Sequence, residues 1–127
     1  MKLYLAGPMT GIQDFNYPAF AATAAKLRDA GFDIVSPTDN GLPKNAPWPQ
    51  HMRADIPMLI GCEGVALMEG WEASKGAQLE RHIAMSTGIW VMNVGAWLGV
   101  ARSLRASIEA QHLKRALDLA GITKATA

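Results

Sequence analysis

The feature that most constrains this fold is a repeated order. A short apolar run ends in a glycine- or proline-broken polar loop, and a segment with helical spacing follows. Residues 2–6 run into Gly7-Pro8-Met9-Thr10-Gly11, and residues 32–35 into Ser36-Pro37. Residues 64–68 run into a loop ending at Ser74-Lys75, and residues 89–92 into Asn93. Runs this short and this apolar suit strands buried on both faces. Strands alternating with helices imply a parallel sheet with right-handed crossovers. The expected architecture is α/β, with four or five parallel strands and helices on both faces.

That topology gathers the loops after the strands on one edge, where open α/β sheets bind ligands. They are also the most polar and least regular parts of the chain. The stretch Met68-Glu69-Gly70-Trp71-Glu72-Ala73-Ser74-Lys75-Gly76-Ala77-Gln78-Leu79-Glu80 is central. It offers a hydroxyl, a cation and glycines that permit close backbone approach. Ser74 reads either as a helix N-cap or as a phosphate ligand beside free N–H groups of the first turn. Glu80 reads either as a solvated glutamate or as a reactive carboxylate. The loop at residues 7–11 lacks the dinucleotide fingerprint and the phosphate-loop spacing. What it offers is a turn whose backbone could approach a ligand.

Elsewhere, Pro18 suits the first turn of a helix, with Phe20, Ala24 and Leu27 at helical spacing and Gly31 at its end. Residues 38–50 form a long loop with three prolines, of the kind used as lids. Trp48, between two prolines, either stacks on a base, covers the site or anchors the loop. Residues 51–60 read as a helix, with Pro57 in its first turn or at a kink. Asp55 then lies near the start of that helix, where capping is its ordinary role. The ring of Tyr4 belongs in the core, with a hydroxyl that needs a partner. Residues 76–86 form the next helix. Residues 95–99 link the fourth strand to a last helix, from Val100 to about Ala120, with Leu104, Ile108, Leu113 and Leu117 as its apolar stripe. Arg102, Arg105, Lys114 and Arg115 give that helix a solvated basic face.

The chain has 127 residues, half of them hydrophobic, enough for one domain with a proper core. We expect that domain at residues 1–121, with 122–127 a frayed tail. A net charge of +1 argues against bulk electrostatic binding of nucleic acid but not against a small phosphorylated ligand. Cys62 is the only cysteine, so no internal disulfide forms, and one Cys with three scattered His gives no zinc spacing. No metal or cofactor is expected. The N-terminal apolar run is too short for a signal peptide, and no stretch approaches the roughly 20 apolar residues of a membrane span. These readings point to the cytoplasm.

Three motifs together carry a resemblance. They are Leu5-Ala6-Gly7-Pro8-Met9-Thr10-Gly11, Asn16-Tyr17-Pro18-Ala19-Phe20, and Gly70-Trp71-Glu72-Ala73-Ser74-Lys75-Gly76-Ala77-Gln78-Leu79-Glu80. From the N-terminus to about Asn93 the chain resembles the small phage and bacterial domains described as nucleoside 2-deoxyribosyltransferase-like. The wider superfamily, which includes deoxynucleoside-monophosphate N-glycosidases, implies a flavodoxin-like three-layer sandwich. It also implies that Glu80 attacks the anomeric carbon and that Asp55 handles the leaving base. Tyr4 would orient Glu80, and Ser74 would bind a 5′-phosphate. Gly7, Pro8, Met9 and Gly11 would line the sugar and phosphate. Trp71, Lys75 and Gly76 are further candidate binding residues from this chain's own loop; the characterised hydrolases lack Trp71 and Lys75 at these places. The resemblance further implies a homo-oligomer.

Those roles agree with the chemistry. Breaking an N-glycosidic bond develops oxocarbenium character that a carboxylate can stabilise or capture, and the leaving base needs a proton. The expected function is hydrolysis or transfer at the N-glycosidic bond of a deoxynucleoside or its 5′-monophosphate. The alternative is a non-catalytic nucleotide-binding module, with Trp71 and Trp48 stacking the base and Lys75 holding phosphate. Glu80 separates the two, because a binder of an anionic ligand gains nothing from a carboxylate in its pocket.

Overall fold

The computed structural model describes residues 1–121. Strands β1 (Lys2–Ala6), β2 (Asp33–Val35), β3 (Gly64–Leu67) and β4 (Trp90–Asn93) form one all-parallel sheet in the order β2-β1-β3-β4. Helices α1 (Tyr17–Asp29), α2 (Trp48–Ile60) and α3 (Lys75–Ser86) connect them, and α4 (Val94–Leu119) follows. This is the flavodoxin-like α/β arrangement, with four strands rather than five. β1 is flanked by β2 and β3, so chain order reverses there, and the crevice of such folds opens between the loops after β1 and β3.

The period-2 alternation of each strand divides the core into two sides. Leu3, Leu5, Ala66 and Met68 meet Phe20, Ala24 and Leu27 of α1 and Trp97 of α4. Tyr4, Ala6, Val65 and Leu67 meet Leu59 of α2, Cys62, and Ala77 and Ala84 of α3. Each large side chain sealed here contributes roughly 1.5–3 kcal/mol of hydrophobic stabilisation. Gly64 pairs with Leu3, and a Cβ there would stand 2.7 Å from both Leu3 Cδ2 and Trp97 Cζ2. Only glycine therefore lets the Trp97 indole lie against β3, where its Nε1 donates to Val65 O at 2.8 Å.

Several expectations change at the element ends. Residues 95–99 are not a linker. The Asn93 side chain accepts from Ala96 N at 2.7 Å, and this cap starts α4 at Val94, straight from the strand. The loop after β2 ends at Pro47, because Pro49 fits the first turn of α2 and Trp48 opens that helix. Pro57 lies in the last turn of a continuous α2, and Gly61 N donates to its carbonyl. Asp55 is consequently mid-helix and caps nothing. The stripe assigned to the last helix is not a single stripe. At 100° per residue the step from Ile108 to Leu113 turns the chain by about 140°, so the two pairs face different ways. Neither pair reaches the core, since Leu104 is 60% and Leu113 62% exposed. Gly121 follows α4 with φ +72°, as a helix-ending glycine should. The expected frayed tail, residues 122–127, lies outside the described residues. Among the described residues no helix is long and apolar enough to cross a membrane.

Candidate active site

Three polar side chains that the sequence marked converge on the α2–α3 side of the sheet. Tyr4 sits in the middle of β1, and its inward ring is fully buried. Glu80 lies between one and two turns of α3 beyond the Ser74 cap, and this turns it inward between Ala77 and Ala84. It is 4% exposed, so the solvated reading fails. Asp55 comes from the buried face of α2, between Met52 and Leu59, and is 5% exposed. The Tyr4 hydroxyl donates to Glu80 Oε2.

Burial dominates the electrostatics. It pushes the Glu80 carboxyl up to about 8; the Tyr4 hydrogen bond opposes this and the Asp55 charge adds to it. Burial also raises Asp55, against the Asn40 hydrogen bond and the neighbouring His51 imidazole, both of which lower it. Tyr4 is held well above its ordinary value, first by burial and then by Glu80 and Asp55. Each acid is thus held toward its neutral form, and the Asp55 charge adds to the lift on Glu80.

The loops beyond β1 and β3 pack against each other at the crevice. A Cβ on Gly7 would stand 2.8 Å from Met68 Cβ, and one on Gly70 (φ +85°) 3.3 Å from Pro8 Cγ. Asn16 pins the first loop by donating from Nδ2 to Pro8 O at 2.9 Å. It ends a run of three left-handed residues, Asp14, Phe15 and Asn16, a costly conformation for Phe15 above all. Met9 is half-buried against the α1-side core, and Gly11 turns with φ +83°.

Ser74 is the N-cap of α3. Its Oγ accepts from Ala77 N at 3.1 Å and reaches Gly7 O at 3.5 Å, so it also ties α3 to the first loop. Lys75 and Gly76 supply N–H groups of the first turn that have no intrahelical acceptor. The Lys75 ammonium lies 4.2 Å above the Trp48 ring, a cation–π contact, so Trp48 and Lys75 join the starts of α2 and α3. Gly76 faces α2, with Trp48 Nε1 and the Met52 sulfur in van der Waals reach of its missing Cβ.

Trp71 does not join this group. Its ring stacks with Arg81 at 5.3 Å and lines a groove of about 610 Å³ beside β4, with Met85, Trp90 and Met92. Neither this groove nor the second, about 560 Å³ between Phe32 and α4, includes Tyr4, Asp55 or Glu80. Among the described residues no three His, Cys, Asp or Glu side chains are grouped to hold a metal ion.

Two residues at the site were not marked by the sequence reading. Asn40 donates from Nδ2 to Asp55 Oδ1 at 2.9 Å, and the same nitrogen lies 2.9 Å from His51 Nδ1. Asn40-Gly41 reads as a turn, so nothing local links Asn40 to α2. The i, i+4 spacing of His51 and Asp55 is the one signal that could have paired them.

No curated protein matches the chain. Residues 1–93 match the model of a family described as a domain of unknown function, DUF4406; the match ends at the last residue of β4 and leaves α4 outside it. With that match covering the sheet, the crevice and every candidate residue above, the chain belongs to the DUF4406 family.

Proposed function

We propose that the protein cleaves the N-glycosidic bond of a deoxynucleoside or deoxynucleoside 5′-monophosphate through Glu80. The observation that carries this reading is the buried Glu80 carboxyl, held by the Tyr4 hydroxyl and facing a second buried acid, Asp55. A fold gains no stability from such a group, and buried, perturbed acids concentrate at reactive sites.

The chemistry assigns each group a task. The reaction needs one proton between the two acids. With that proton on Asp55, the Glu80 carboxylate attacks the anomeric carbon. The C–N bond breaks, its electron pair goes to the base nitrogen, and Asp55 supplies the proton there. A glycosyl ester on Glu80 remains. Water then attacks the anomeric carbon, and the ester bond breaks with its electron pair returning to the Glu80 carboxylate. The water proton goes to Asp55, and the free sugar or its 5′-phosphate remains; a second base in place of water gives transfer. Tyr4 holds the carboxylate oxygen that does not attack. The first turn of α3 receives a 5′-phosphate through Ser74 and the Lys75 and Gly76 N–H groups. With Glu80 almost sealed, substrate entry requires one of the loops over the crevice to move.

Incubation in aqueous methanol tests the mechanism. Two displacements at Glu80 give free base and a methyl deoxyriboside that keeps the β configuration. An inverted glycoside would remove Glu80 as nucleophile, and no base release at all would remove the activity.

One feature favours the non-catalytic nucleotide-binding reading: burial pushes the Glu80 carboxyl up to about 8, toward the neutral form that is a poor nucleophile. That reading calls for saturable nucleotide binding without base release, unchanged in Glu80→Ala. Self-association belongs to the same proposal. It rests on α4, where every residue from Arg102 to Leu119 is exposed, Leu104, Ile108 and Leu113 included. Sedimentation of the full chain against Leu104→Glu checks it.

A further inference from the structure

The hydrogen bonds of Asn40 leave no freedom in their direction. The Leu42 backbone N–H lies 3.0 Å from Asn40 Oδ1 and can only donate, so the amide oxygen faces Leu42. The NH₂ group therefore faces Asp55 and His51, with two hydrogens for two acceptors, Asp55 Oδ1 and His51 Nδ1, each at 2.9 Å. An accepting Nδ1 puts the imidazole proton on Nε2, and Nε2 is buried with no partner among the described residues. A buried donor without an acceptor is costly. Its presence is explained if the other ring nitrogen is needed as the acceptor that keeps Asn40 turned.

The consequence falls on Asp55. Its Oδ1 is occupied by the Asn40 N–H, and no group among the described residues bonds its Oδ2. Oδ2 is also not a sealed atom, since His51 Nε2 is the only buried, partnerless side-chain atom among those residues. The small exposure of Asp55 therefore includes Oδ2. An oxygen that accepts a hydrogen bond is the carbonyl-like one of a carboxylic acid, so the acid proton sits on the other.

We propose that Asn40 is the positioning residue for Asp55: it directs the carboxyl proton to Oδ2, the oxygen without a partner among the described residues, and His51 holds Asn40 in that orientation. The inference rests on the N-glycosidase reading, in which Asp55 protonates the leaving base. Because Asn40 and Leu42 lie in the loop after β2, the same bonds tie that loop to the acid. When the base departs with the proton, Asp55 is left as a carboxylate already bonded by Asn40, and water returns the proton in the second displacement. The other titratable groups around Asp55 are His51 on α2, Tyr4 on β1, Glu80 on α3 and Tyr17 on α1.

The experiment compares wild type and Asn40→Ala on deoxyguanosine monophosphate and on its N7-methyl derivative, whose base leaves without needing a proton. A positioning role predicts a loss in kcat of about 100-fold on the first and less than about 3-fold on the second. Equal losses on both would overturn it. Two measurements do not depend on turnover. Nitrogen-15 spectra of the wild-type histidines must show His51 with its proton on Nε2; a proton on Nδ1 overturns the network. Carbon-13 titration must show the Asp55 carboxyl ionising at higher pH in Asn40→Ala than in wild type, because a bond to the charged form has been removed. An unchanged titration also overturns it. If wild type releases no base from any nucleotide, the enzyme reading fails, and the two spectra still decide whether Asn40 sets the proton of Asp55.

Discussion

Replacing Glu80 with glutamine should make the protein more stable, and by an amount that depends on pH in a defined way. Glu80 ionises near 4.5 in an unfolded chain and near 8 in the folded one. Below pH 4.5 both states are protonated and the burial costs nothing through ionisation. Between 4.5 and 8 the folded state binds the extra proton, so stability falls as pH rises, by about 1.4 kcal/mol per pH unit. The accumulated cost is about 1 kcal/mol at pH 5 and about 3 kcal/mol at pH 7, and it levels off above 8. Glutamine keeps an acceptor for the Tyr4 hydroxyl and never ionises. Its amide N–H has no established partner, which takes back about 1 kcal/mol at every pH. The net expectation is near zero at pH 5 and a gain of about 2 kcal/mol at pH 7. In urea that gain shifts the midpoint by ~1 M at unchanged slope. Tryptophan fluorescence through the urea transition at both pH values reads it directly. A Glu80→Gln protein less stable than wild type at pH 7, or a difference that does not grow between pH 5 and 7, would refute the argument that a buried neutral acid is held here against the fold.

Three further outcomes are expected. Ser74→Ala should cost about 1 kcal/mol as a lost N-cap, seen in urea denaturation, and should raise KM for a monophosphate more than for the corresponding nucleoside; equal effects on both would remove the phosphate role. Gly64→Ala should destabilise by roughly 1–3 kcal/mol, because its Cβ would stand 2.7 Å from Leu3 and Trp97, and near-ultraviolet circular dichroism should report a shifted Trp97. The pH dependence of turnover should be bell-shaped, because the acid pair works with one proton. Activity falls above about pH 8, where that proton is lost, and falls again in acid, at a point above the ordinary aspartate value, where both groups are protonated. A rate still rising through pH 9 would contradict the shared proton.

The sheet was legible because strands buried on both faces leave uninterrupted apolar runs, and β1 and β3 are the clearest. The loops at the crevice were legible because glycine and proline interrupt those runs where the backbone must turn. What the sequence hid were cooperative features. Gly95 and Gly99 look like breakers, yet one asparagine cap at Asn93 carries the helix through them. Trp48 looked like a loop residue because two prolines flank it, and the same prolines begin α2. Asp55 looked like a cap until the helix start moved seven residues upstream of it. The charge state of Glu80 cannot be read locally, since it follows from the burial that α3 imposes and from Asp55 on another helix. Asn40 was hidden because its bonds join residues that neither periodicity nor turn chemistry connects.

The most direct measurement of the central claim is chromatographic. Each deoxynucleoside and each deoxynucleoside monophosphate is incubated with wild type and with Glu80→Ala, and free base is quantified. The account predicts base release by wild type from at least one of them and none above background from Glu80→Ala, with the variant still folded. Release by Glu80→Ala at the wild-type rate, or no release by either protein from any substrate, would contradict it.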